Sequence, residues 1–88
     1  MNTEARRANL RRKFFELCPP VGRDDDDPTG AHQLNAESIG LPLDQYHVAM
    51  RAISAEHRVW QRSAEGGLYD LDYQPTGAET LAFVKSFV

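Results

Sequence analysis

The side chains best placed to do chemistry in this chain are its arginines, and they crowd one end of it. Residues 1 to 23 hold Arg6, Arg7, Arg11, Arg12, Lys13 and Arg23 against only Glu4 and Glu16. Such a cluster neutralises phosphates, docks an acidic partner, or simply solvates a helix face. From residue 24 onward the balance reverses, with Arg51, Arg58, Arg62 and Lys85 against eleven acids, so the net charge of -3 hides a strong polarity. The other candidates for chemistry are sparse. Cys18 is the only cysteine, so it has no internal disulfide partner and none of the paired spacing of a zinc site. The acidic run Asp24 to Asp27 is contiguous, whereas a calcium loop needs oxygens at alternating positions and a distant bidentate carboxylate. No glycine-rich phosphate loop, nucleophile–base pairing or metal-ligand cluster accompanies His32, His47 and His57. The expectation is a protein that is not an enzyme and carries neither metal nor cofactor.

The elements that must position these residues can be read from start, stop and turn signals. Residues 3–18 read as a helix: Thr3 caps it, straight-chain helix formers fill it, and Leu10, Phe14 and Leu17 recur at helical steps until Pro19 and Pro20 stop it. Residues 19–31, with four adjacent aspartates and Pro28-Thr29-Gly30, form an acidic link. Asn35 reads as an N-cap, with Leu34 and Ile39 spaced as a hydrophobic staple around a short helix that Gly40 ends. Pro42 suits the start of a second helix, in which Leu43, Tyr46, Met50 and Ile53 make one apolar stripe.

Beyond His57, read as the C-cap of that helix, the pattern turns to alternation. Val59 to Arg62 and Leu68 to Tyr73 have strand character around the turn residues Ser63 to Gly67, with Trp60, Tyr69 and Tyr73 as cross-strand and core residues. Thr76 and Glu79 are spaced as a capping box for a last helix over 76–87. One domain spans 1–88, divided into the helix 3–18, the link 19–31, a helix-turn-helix over 32–58, a hairpin over 59–74 and the helix 76–87. The fold class expected is therefore α+β, three to four helices with a β-hairpin wing, to which Ala31 to Leu34 could add a short third strand.

That order resembles the winged helix-turn-helix domains of bacterial and phage regulators. The resemblance rests on Ala36 and Gly40 in AESIG, on the sequence QPTGAETLAFVKSF after the hairpin, and on the succession of elements over residues 31 to 87. It implies a transcriptional regulator that lays the helix over residues 43–56 in the major groove of duplex DNA. Gln45, His47, Val48 and Arg51 would meet base edges there, beside Asp44, while Arg58 and Arg62 would contact phosphates. The acids of the wing, Glu65, Asp70 and Asp72, oppose that docking, so Arg7 and Arg11 on the first helix are expected to supply phosphate contacts instead. The alternative is a winged helix used as a protein-interaction module through its acidic wing or its basic first helix. At this size a homodimer is expected. With no apolar leader and no stretch of membrane-spanning length, the address expected is cytoplasmic.

Overall fold

The computed structural model describes residues 3–19 and 30–88 and contains four helices, α1 (Thr3–Leu17), α2 (Ala31–Ile39), α3 (Leu43–Gln61) and α4 (Gly77–Lys85). The acidic run Asp24 to Asp27, with Pro20, Arg23, Pro28 and Thr29, lies outside the described residues.

Among the described residues there is no strand, so the expected α+β fold with a β-hairpin wing is corrected to an all-helical one. Two physical reasons account for the difference. Val59, Trp60 and Gln61 have β propensity, yet they simply prolong α3, because Trp60 falls seven residues after Ile53 on the stripe that already buries Tyr46 and Ala49. With no first strand, Leu68 to Tyr73 has nothing to pair with, and its alternation serves another purpose described below. At the other end, Ala31 to Leu34 is the first turn of α2 rather than a strand. Asn35 therefore sits inside that helix, not at its cap, and Leu34 is 60% exposed instead of stapled. His57, read as a C-cap, lies within α3.

The turn between α2 and α3 follows its sequence signals. Gly40 sits at φ +78, a left-handed position that a glycine enters without Cβ strain. The amide of Leu41 donates to the Ala36 carbonyl (3.0 Å) and that of Gly40 to the Glu37 carbonyl (3.2 Å), the paired bonds of a Schellman motif. Leu41 and Ala36 are both buried, which completes the motif's apolar contact. Pro42 then caps α3 in extended conformation, and its carbonyl accepts from Tyr46 N at 2.9 Å. At the start of α4 the capping box is present: the Glu79 amide donates to Thr76 Oγ1 and the Thr76 amide donates to Glu79 Oε1, both at 3.1 Å.

The core gathers Phe14 and Cys18 from α1, Ala36 and Ile39 from α2, Tyr46, Ala49 and Ile53 from α3, and Phe83 and Val84 from α4, with Leu41 between α2 and α3. α1 packs against each of the other three helices. Its buried face contains Ala5, Ala8, Asn9, Arg11 and Phe14, so two polar side chains stand where a hydropathy reading looks for apolar ones.

Asn9 explains the segment that resembled a strand. Its Nδ2 donates to the carbonyls of Asp70 and Tyr73, each at 2.7 Å, and its Oδ1 accepts from the Asp70 amide at 3.1 Å. One turn of α1 to either side, Arg6 lies 4.0 Å from the centre of the Tyr73 ring and Arg12 lies 4.2 Å from that of Tyr69. The alternating tyrosines thus meet cations on α1 instead of a neighbouring strand.

Candidate functional site

The residues expected to contact DNA divide into two groups. On α1, Arg11 has no exposed side-chain surface, and its Nη1 donates to Glu56 Oε2. Arg7 Nε donates to the same oxygen at 2.7 Å, and the Arg7 guanidinium lies over the rings of Phe83 and Phe87. Arg11 therefore cannot reach a phosphate, and Arg7 is committed to an internal pair. Burial pushes the Glu56 carboxyl up, but the hydrogen bonds and charges of the two arginines outweigh it and hold the carboxyl below the ordinary range. Beside this group, burial, assisted by the charge of Arg11, holds His57 below the ordinary histidine value.

The second group stays on α3. Gln45, Val48, Arg51, Arg58 and Arg62 are exposed, as is Asp44 in the first turn. His47 is half-buried, its ring centre 4.9 Å from that of His32, so it belongs to the contact between α2 and α3. At 100° per residue, Arg51, Arg58 and Arg62 fall along one row of the outward face. Neither Arg58 nor Arg62 has an ion pair among the described residues. The acids of α3 are Asp44, at its start, and Glu56, which is turned toward α1. Hence the outward face from Val48 to Arg62 carries three positive charges and no negative one.

Beside the arginine row lies a second row that the sequence reading missed. Val48, Ala52, Ala55 and Val59 follow at steps of four, three and four, the spacing with which a helix presents a seam to another helix. Val48 is 50% and Val59 70% exposed. The row runs for about 16 Å at a rise of ~1.5 Å per residue. α3 is thus apolar on two sides, one filling the core through Tyr46, Ala49, Ile53 and Trp60, the other open. Carrying the helical count past residue 58 would have revealed the row, but assigning Val59 to a strand hid it.

Two other places were considered for chemistry. A shallow cleft lined by Thr3, Arg6, Arg7, Leu10, Tyr73 and Glu79 has polar groups that already satisfy one another: the Tyr73 hydroxyl donates to Glu79 Oε2 at 2.8 Å and Arg6 covers the Tyr73 ring. Cys18 is 1% exposed, and burial pushes its thiol up to about 11, far from the range of a reactive thiolate. Among the described residues no group of three or more His, Cys, Asp or Glu could hold a metal ion, and no helix is long and apolar enough to cross a membrane. Compared with known proteins, the chain matches no family model, no curated protein and no solved structure.

Proposed function

We propose that this protein is an interaction module whose contact surface is the outward face of α3, and that it binds another protein there. The observation that carries the reading is the apolar row Val48–Ala52–Ala55–Val59, left open on a helix whose opposite side already fills the core. Isolated exposed valines need no explanation, but four small apolar residues in helix-pairing register form a continuous surface. The contact surface differs from both that the sequence suggested. There is no wing to present acids, and the basic first helix spends Arg7 and Arg11 on Glu56. A photo-crosslinking residue placed at position 59 in the expressing cell is expected to yield a discrete protein adduct, and one at Gln33, exposed on α2, is not. Equal labelling from both positions, or none from 59, would remove the support for this surface. Val59→Glu should abolish the interaction and change unfolding stability by less than about 0.5 kcal/mol, as an exposed substitution does.

A second reading, duplex DNA held by α3, is favoured by the Gly40 turn that joins α2 to α3 and by Gln45 and Arg51 on the exposed half of α3 that would enter a groove. It ranks second because Asp44 stands at the same end of the helix, where phosphates and base edges would meet it. With α1 contributing little, three arginines would give a slope of log affinity against log salt of about -2.7. Selection from random duplexes at two salt concentrations tests it: an enriched motif that Arg51→Ala relaxes would favour DNA over protein.

A further inference from the structure

Resting on the protein-interaction reading, we infer that the partner segment is an acidic amphipathic helix, its apolar side on the Val48–Ala52–Ala55–Val59 row and its carboxylates along one flank, facing Arg51, Arg58 and Arg62. The apolar row sets the shape of the occupant. Steps of four, three and four admit knobs from a helix crossing at a shallow angle, whereas a strand or a loop would leave the row's register unused. Alanine at both central positions lets the incoming backbone approach closely.

The charge arrangement sets its chemistry. The arginines lie on one side of the apolar row only. On the other side stand Gln45 and, turned toward α1, Glu56 with its two arginine partners. An occupant therefore meets positive charge along one flank and an already neutralised surface along the other.

A second copy of α3 does not supply the complement. Laid antiparallel about a twofold axis, with Val48 over Val59, it sets Arg51 close to Arg58 of the second copy and leaves only Asp44 for Arg62. Laid parallel, it sets the arginines against Gln45 and against a Glu56 that Arg7 and Arg11 already hold. Like charges in register disfavour the first arrangement, and nothing attracts the arginines in the second.

The test uses three-heptad helical peptides that share one leucine and alanine seam and carry glutamate, glutamine or lysine along a single flank, titrated by fluorescence anisotropy against the full chain. The glutamate peptide is expected to bind about tenfold tighter than the glutamine peptide, the sum of three rim ion pairs, and the advantage should shrink at high salt. Replacing Arg51, Arg58 and Arg62 together with glutamate should reverse the order of the glutamate and lysine peptides. All three positions are exposed, and a melting curve on each variant confirms that it folds. Equal affinity of the glutamate and glutamine peptides, both lost in Val59→Glu, overturns the acidic helix while leaving the interaction reading intact. A chain that is dimeric in sedimentation and dissociated by Val59→Glu assigns the row to a second copy and overturns the inference. Preferential capture of random duplexes by the arginine row overturns both readings.

Discussion

Arg11 is the residue whose burial most constrains this protein. A guanidinium with no exposed surface is tolerable only while Glu56 faces it, and two of its nitrogens, Nε and Nη2, find no hydrogen-bond acceptor among the described residues. Removing the two partners should therefore have unequal effects. Glu56→Ala leaves Arg11 buried and unpaired and is expected to cost about 3 kcal/mol, the low end for a broken buried pair because Glu56 keeps 29% exposure. Arg11→Met removes the unsatisfied nitrogens and leaves Glu56 to Arg7, so it should be close to neutral. Denaturant titration of the two variants checks the asymmetry, and equal losses would contradict it. The same group fixes the direction of the pH dependence. Glu56 and His57 both have folded values below their ordinary ones, so the unfolded chain binds more protons at each. Stability should be full above the ordinary histidine value, fall first as His57 protonates, and fall again through the carboxylate range. His57→Phe should remove only the upper step. The sequence could not announce this arrangement. Arg11 shares helical spacing with Ala8 and Phe14, but a reading that counts arginine as exposed assigns it outward, and its partner lies 45 residues away.

At the scale of elements, the segment 68–73 is held by one side chain. Asn9→Ala removes three hydrogen bonds to backbone atoms of Asp70 and Tyr73, and at about 1 kcal/mol each should cost about 2–3 kcal/mol. Hydrogen exchange should then show the Asp70 amide losing protection while α2 keeps its own, and uniform loss across the chain would argue against a local clamp. Much of the element plan was legible. Thr76 and Glu79 gave the start of α4, Gly40 its turn, Pro42 the entry to α3, and the proline after Cys18 the end of α1, because each of these signals acts through local backbone chemistry. The wing was misread for a complementary reason. Alternation in Tyr69, Leu71 and Tyr73 reports that alternate side chains share a side, not what covers them, and here the cover is Arg6, Asn9 and Arg12 on a helix some sixty residues earlier. The end of α3 was likewise a choice between local β propensity and burial of Trp60, and burial prevailed. Gly66 records how closely the chain folds back there, since a Cβ on it would stand 2.5 Å from the Gln61 carbonyl oxygen.

For the molecule as a whole, basic charge divides by use. The arginines of α1 are turned to internal work, against Glu56, Tyr69 and Tyr73, while those of α3 face outward beside an open apolar row. The contact surface is consequently carried by the helix that also supplies Tyr46, Ala49, Ile53 and Trp60 to the interior, which gives it a rigid base. The first helix also packs against the last, and Arg7 reaches Phe83 and Phe87. That pairing sets a schedule for synthesis. As the chain leaves the ribosome, α1 emerges first and has no means of covering Ala5, Ala8 and Phe14 until α4 has been made, so the nascent protein carries an unfinished helix through nearly its whole translation. A chain ending before Gly77 should accordingly fail to protect α1 amides from exchange and should be held by nascent-chain chaperones. Native-like protection of α1 in that truncation would show that the early elements fold without waiting for the end.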